Sequence, residues 1–168
     1  MIASNSTALV YLSKINKLFL LKELFGNIVI PEAVKREVVN QGKQGNHIDA
    51  FVVESAITEG WIKVAKVTIN PLLENIGIDK GEAEAISLAA IKKCSLLVDQ
   101  THAREAAKLI GVRPKGTLFI LLLAMKKGLL TYDGYLQDLF DLAQAGFRMS
   151  QEVYLDALRG GKEIGIKK

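Results

Sequence analysis

The chain has little of the chemistry that marks most metal and redox proteins. Among 168 residues there is one cysteine, Cys94, and there are two histidines, His47 and His102. A single cysteine excludes an internal disulfide, and the absence of CxxC and HExxH spacings excludes the usual zinc sites. The GxxxxGK[ST] phosphate loop and the GxSxG nucleophile elbow are also missing. Acids and hydroxyls therefore remain as the chemistry of any site.

Long apolar segments are also missing. The longest run, LFILLLAM, lies between Lys115 and Lys126, well short of the ~20 residues that a membrane span needs. No basic segment precedes an apolar core at the amino terminus, so we expect a soluble protein of the reducing cytoplasm, without a membrane partner. The run still holds more large side chains than one helix face requires, so it is either buried within the chain or part of a homodimer interface.

Charge alone identifies no partner. The net charge of +4 and the pI near 9.1 permit an anionic partner such as nucleic acid without requiring one. Basic residues gather at Arg104, Lys108, Arg113 and Lys115 and again in the tail KEIGIKK, with no aromatic residues interleaved. Such clusters are typical of an ordinary solvated surface.

Short β-rich runs alternate with segments of helical periodicity. The runs are MIAS, residues 28–30, WIKVAKV, SLLVD and residues 112–114. This alternation predicts an α/β fold with a mostly parallel sheet. We expect one domain over residues 1–168, in which residues 131–168 form a helical extension with a basic tail.

Several helix boundaries carry specific signals. Asp79 followed three residues later by Glu82 resembles a capping box, and Ser150 is a good N-cap for the helix SQEVYLDALR. Gly111 stands where THAREAAKLI would end. Pro31 stands at the first turn of the helix that carries Glu37.

Polar side chains stand where two predicted strands end. Asn5 lies in the segment SNST after the first strand, and Asp99 closes SLLVD. Ligands of open parallel sheets bind beyond the carboxyl ends of the strands. Helices that follow strands begin at the same edge, which brings Glu37 and Glu84 there as well. Since Mg²⁺ and Mn²⁺ prefer oxygen ligands, we expect all four residues in one cleft.

Each of these residues also has a plain structural interpretation. Glu37 can simply solvate a helix face, and Asp99 can cap the next helix, a role that Thr101 can fill instead. Ser6 and Thr7 either cap the first helix or contact a substrate or metal-bound water. Glu82 is better explained as a cap, and Glu84 projects to a different side because residues two apart on a helix do not face each other.

Five segments in this order resemble a prokaryotic subfamily of PIN-domain proteins related to VapC-type toxins. They are NSTALVYL, IPEAVKREV, GEAEAISLA, LLVDQTHAR and GTLFILLLA, and they extend to about residue 125. The resemblance implies a three-layer sandwich with a five-stranded parallel sheet, a Mg²⁺- or Mn²⁺-dependent endoribonuclease acting on RNA, and a cognate antitoxin as partner. The acidic positions of the family match Asn5, Glu37, Glu84 and Asp99.

The resemblance assigns roles to these positions. Asn5, Glu84 and Asp99 would hold the metal, with Glu37 completing the catalytic set. The RNA contacts would come from neighbouring polar and basic residues, namely Ser6, Thr7, Thr101 and Arg104.

Two positions depart from the family pattern. Asn5 stands where relatives have aspartate, and Gln100 stands where a second acid often follows the one matching Asp99. An asparagine offers a carbonyl oxygen but no negative charge. The main alternative is therefore a catalytically inactive PIN-like module that binds nucleic acid or protein. A flavodoxin-like protein that handles phosphates or nucleotides is a third, weaker alternative.

Overall fold

A five-stranded parallel sheet forms the centre of the protein in a computed structural model that describes residues 1–166. Its strands are β1 (Ile2–Ser4), β2 (Ile28–Pro31), β3 (Ile62–Ala65), β4 (Leu96–Leu97) and β5 (Pro114–Lys115). Helices flank the sheet, which confirms the predicted α/β sandwich. Lys167 and Lys168, the end of the predicted basic tail, lie outside the described residues.

The strand order is β3-β2-β1-β4-β5, so the first strand of the chain is the central one. β1 pairs with β2 on one side, where Ile2 faces Ile28, and with β4 on the other, where Ala3 faces Leu96. The chain thus builds one half of the sheet and then crosses back to build the other. The reversal of strand order lies between β1 and β4, which is where ligands of such sheets bind.

Ten α-helices, a π-helical turn and a short 3₁₀ turn account for the other regular segments of residues 1–166. These are α1 (Ser6–Lys14), α2 (Phe19–Phe25), α3 (Glu32–Lys35), the π-helix Arg36–Gln41, α4 (Gly42–Gln44), α5 (Ile48–Thr58), the 3₁₀ turn Pro71–Leu73, α6 (Lys80–Lys92), α7 (Thr101–Leu109), α8 (Thr117–Lys126), α9 (Tyr132–Gln144) and α10 (Gln151–Ile166).

The two faces of the sheet are packed differently. One face carries a core of large side chains, among them Leu9, Leu12 and Leu121. The other face is covered by α6 and α7, whose buried residues include the small Ala85 and Ala103. Small side chains let these two helices approach the sheet closely, with α6 packed against β1 and β4 and α7 against β5.

Most boundary signals are confirmed. Asp79 and Glu82 form the capping box of α6, and the Ser150 hydroxyl accepts a hydrogen bond from the Val153 N–H at 3.2 Å. Gly111 has the positive φ of 77° that ends a helix. Pro31 is predicted in the first turn of the next helix, but it lies one residue before that turn, because it ends β2 and is the N-cap of α3.

Three boundaries differ from the prediction. β5 lies two residues late, at Pro114–Lys115, because the neighbouring strand bonds to Arg113 and Lys115 through their carbonyls. The last helix continues to Ile166, past Arg159, since its glycines pack against neighbouring helices instead of ending it. The helix after Pro31 passes into a π-helix, which no periodicity signal marks.

The apolar run LFILLLAM forms most of α8. Ile120, Leu121 and Ala124 are buried, and α9 and α10 both pack against this helix. Burial within the chain therefore accounts for its apolar length, while the homodimer interface stays a prediction. Within residues 1–166 no helix has the length and apolar character needed to span a bilayer.

Candidate functional site

Asn5 lies at the reversal of strand order, directly after β1. Its backbone N–H donates to the Leu97 carbonyl of β4 at 3.0 Å, which fixes the residue between the two central strands. The residue is 3% exposed and is the N-cap of α1, although its side chain makes no capping hydrogen bond. Its amide is therefore free to bond across the strand ends.

The amide of Asn5 pairs with the amide of Gln100. Asn5 Nδ2 donates to Gln100 Oε1 at 3.0 Å, and Gln100 Nε2 donates to the Thr7 hydroxyl at 3.0 Å. Asn5 Oδ1 is buried and has no hydrogen-bond partner among the described residues. The two positions that depart from the family pattern are thus bonded to each other.

Asp99 is committed to the start of α8. Its Oδ1 accepts from the Thr117 N–H at 2.8 Å and its Oδ2 from the Thr117 hydroxyl at 2.7 Å. A Cβ on Gly116 would lie 2.9 Å from Asp99 Oδ1, so this approach requires glycine. Asp99 therefore caps α8, and not the following helix α7 that sequence reasoning considered.

Burial raises the pKa of Asp99 above the usual range of an aspartate. The hydrogen bonds from Thr117 and the charge of Arg104 act in the opposite direction. The Arg104 guanidinium also donates to the Val98 carbonyl at 3.0 Å, which holds it near the end of β4. Asp99 is therefore an acidic neighbour of Arg104 within the protein itself.

Glu37 bonds to α1 and not to the strand ends. Its Oε2 accepts from the Ser6 hydroxyl at 2.5 Å, and the π-helix Arg36–Gln41 carries it. The cap prediction for Ser6 and Thr7 is wrong, because their hydroxyls bond to Glu37 and Gln100 instead of to the backbone of α1.

Glu84 is buried on α6 and caps a second helix. Its Oε2 accepts from the Ala33 N–H at the start of α3 at 3.1 Å, and its Oε1 lies 3.8 Å from Lys80 Nζ. Burial, followed by the charges of Asp79 and Glu37, raises the pKa of Glu82. Glu82 therefore faces Glu37, whereas Glu84 faces the backbone after β2.

Hydrogen bonds tie each of the four predicted residues to the carboxyl ends of the strands or to the helices that begin there, and their arrangement in one cleft stays a prediction. Glu37 lines a cavity with Ser6, while Asp99 lines a groove with Arg104. Across residues 1–166, no group of three histidine, cysteine, aspartate or glutamate side chains could hold a metal ion. The predicted roles of Asn5, Glu84 and Asp99 as metal ligands stay predictions.

A groove of about 530 Å³ opens beside Asp99, and we call it the arginine groove. Its walls include Thr101, Arg104, Phe119, Phe147 and Arg148. A smaller cavity with Thr7, Tyr11 and Gln100 shares Asp99, Thr101, Phe147 and Arg148 with it. The groove therefore connects the predicted RNA contacts Thr7, Thr101 and Arg104.

Sequence reasoning missed Arg148 and the aromatic wall of this groove. Arg148 is exposed and has no hydrogen bond or ion pair within the described part of the chain. The Phe147 ring meets Tyr11 edge-to-face, with centroids 5.1 Å apart. No aromatic residue is interleaved with the basic residues in the sequence, and it is the fold that brings Phe147 and Phe119 beside Arg104 and Arg148.

Comparison with known proteins supports this architecture. A family model described as a PIN domain matches residues 1–163, which include all five strands. No curated protein and no solved structure matches the chain. The matched range covers nearly the whole sequence, from the central strand to most of α10, and the chain therefore belongs to the PIN-domain family.

Proposed function

We propose that this PIN domain binds RNA at the carboxyl edge of its sheet and cleaves it slowly or not at all. The observation that carries the proposal is the hydrogen bond between the amides of Asn5 and Gln100. It occupies the strand ends with two neutral side chains. The fold is of the nuclease type. The proposed loss of cleavage therefore depends on the side chains at the carboxyl edge of the sheet and not on the fold.

The residues present do not fit a strongly bound divalent metal. PIN domains generally use divalent metals, and hard cations are held by several carboxylate oxygens. Here two positions are amides, and both oxygens of Asp99 already accept hydrogen bonds from Thr117. A cation would have to displace these bonds while gaining little negative charge.

Binding of RNA needs no metal, and the arginine groove has suitable chemistry for it. Arginine donates to phosphate oxygens in a planar fork, and Arg148 has no partner to give up within residues 1–166. Aromatic rings can stack on bases, and Phe119 lines the groove with the Lys115 ammonium over its ring, 4.5 Å from the centroid. The net charge of +4 is compatible with an anionic partner.

A metal-dependent endoribonuclease is the second candidate. Asn5 Oδ1 is buried without a partner among the described residues, and an amide carbonyl oxygen is a ligand that hard cations accept. Glu84 and Asp99 would be the charged ligands beside it. We also propose a cognate antitoxin as a protein partner, whichever of the two candidate functions holds.

One experiment separates the two candidates. Binding of a fluorescent single-stranded RNA is measured by anisotropy in EDTA and in Mn²⁺, and the same samples are then analysed for cleavage. We expect equal affinity in both buffers and intact RNA. Rapid Mn²⁺-dependent cleavage that Glu84→Gln abolishes would favour the nuclease, and no RNA binding in either buffer would refute both candidates.

A further inference from the structure

A second cavity, of about 280 Å³, lies beside a neighbouring face of α1. We call it the Asp49 cavity. Its polar walls come from α1, from the π-helix and from the start of α5. These residues are Ser6, Lys14, Glu37, Gln41, His47 and Asp49.

Asp49 is buried in this wall without a partner. The residue is only 8% exposed. Its carboxylate makes no hydrogen bond or ion pair with any described residue, and this includes its neighbours Lys14 and His47. Neither carboxylate oxygen of Asp49 is among the fully enclosed side-chain atoms that lack a partner in residues 1–166, so the carboxylate is accessible from the cavity that it lines. The side chain is thus suited to a ligand that brings donors and positive charge.

The helix dipole explains only part of this placement. Asp49 lies in the first turn of α5, where the positive end of the helix stabilises a carboxylate. The dipole supplies no donor to the oxygens. The remaining acceptor capacity therefore faces the cavity.

Glu37 adds a second carboxylate to the same wall. Its Oε2 accepts from Ser6, which leaves Oε1 without a bonded donor within residues 1–166. The π-helix Arg36–Gln41 carries this residue, and such irregular turns occur frequently at functional sites. Lys14 does not neutralise the pair by contact, because its ammonium lies 5.2 Å from the centre of the Tyr11 ring and forms no ion pair within the described chain.

We propose that the Asp49 cavity binds an organic monocation, through a guanidinium or primary ammonium group that donates to Asp49 and Glu37. Val10 and Val38 line the same cavity and would cover an alkyl stem. A bare metal ion fits less well, because residues 1–166 offer no group of three metal-binding side chains. Asp49 does not line the arginine groove, so the monocation site is distinct from that groove, although its walls include Ser6 and Glu37 of the predicted RNA and catalytic residues.

The test is a calorimetric titration of the full chain with methylguanidine, with butylamine and with neutral methylurea. We expect saturable binding of at least one cation and none of methylurea. Asp49→Asn should weaken that binding about tenfold, since a charged hydrogen bond is lost. Glu105→Gln, which removes one carboxylate from an exposed position on α7, should leave it unchanged.

A blocked peptide, Ala-Arg-Ala, distinguishes the sources of the cation. Binding of the peptide at least tenfold tighter than methylguanidine would identify an arginine side chain of another protein, and equal binding would identify a free small cation. Glu37→Gln, at an exposed position, should also weaken binding of the cation. This variant replaces Asp49→Asn in the test if Asp49→Asn does not fold. Absence of saturable binding, or equal affinity of Asp49→Asn, would overturn the proposal. RNA affinity should be the same in Asp49→Asn and the unmodified chain.

Discussion

The amides of Asn5 and Gln100 are joined at the strand ends by one hydrogen bond, from Asn5 Nδ2 to Gln100 Oε1. Two carboxylates at the same positions would repel each other unless a cation lay between them. The amide pair removes this repulsion and makes the edge stable without an ion. The same exchange removes the charge that would concentrate Mg²⁺ or Mn²⁺ there.

Restoring both acids should therefore create a metal requirement. In the double variant Asn5→Asp with Gln100→Asp, we expect a lower melting temperature in EDTA and Mn²⁺ affinity at least ~10-fold tighter than in the unmodified protein. Thermal melts across a Mn²⁺ titration measure both effects. Asn5→Asp alone should give a smaller gain. An unchanged Mn²⁺ response in the double variant would show that more of the site than these two residues has been lost.

Thr117 is expected to control the ionisation of Asp99. Thr117→Val removes the hydroxyl that donates to Asp99 Oδ2, so the pKa of Asp99 should rise further and the free energy of unfolding should fall by about 1–3 kcal/mol at neutral pH. Chemical denaturation at several pH values and NMR titration of Asp99 test this.

The pH dependence has a definite sign. Because burial raises the pKa of Asp99 in the folded protein, its ionised form already lowers stability above that pKa, and this loss disappears below the unfolded pKa. The stability difference between Thr117→Val and the unmodified protein should be largest at neutral pH and shrink as acid protonates Asp99. A difference independent of pH would contradict the role of the charge.

At the level of helices and strands, local signals were informative wherever neighbours in sequence make the structure. The alternation of strands and helices and the capping box Asp79–Glu82 depend on residues close in the chain. The capping of α8 by Asp99 and of α3 by Glu84 depends on contacts across the fold. No local pattern marks such contacts, so the two capping roles could not be predicted from the sequence.

The glycines of α10 show how an apparent helix breaker can be a packing residue. A Cβ on Gly161 would lie 2.4 Å from Tyr135 Cε1, and Tyr135 is fully buried with its hydroxyl bonded to the Ala157 carbonyl. Gly161→Ala should therefore lower the free energy of unfolding by about 1–3 kcal/mol through overpacking.

Gly160→Ala is the matched control, because its Cβ would meet Leu122 Cδ2 at an ordinary 3.5 Å. This variant should be neutral or more stable by up to about 1 kcal/mol, since alanine is the better helix former. Urea denaturation of both variants gives the comparison. Equal effects would show that helix propensity, and not the Tyr135 contact, dominates at both positions.

For the molecule as a whole, positive charge is useful for RNA binding only where it can reach phosphates. Arg148→Ala should weaken RNA binding and reduce the dependence of log affinity on log salt concentration by about 0.7, the value for one phosphate contact on a single strand. Lys126→Ala also removes one positive charge, but at the carboxyl end of α8, whereas the arginine groove is lined by residues near the start of that helix. This variant should leave the salt slope unchanged. Equal losses in both variants would indicate nonspecific attraction to the whole surface.

The central position of β1 has a consequence for the order of events during synthesis. Asn5 is made before its partners on β4, and Gln100 follows it by 95 residues. Pairings between such distant segments form slowly. A nascent chain that has completed only β1, β2 and β3 therefore exposes the edge of β1 that later pairs with β4, and the bond between Asn5 and Gln100 can form only after Gln100 has left the ribosome.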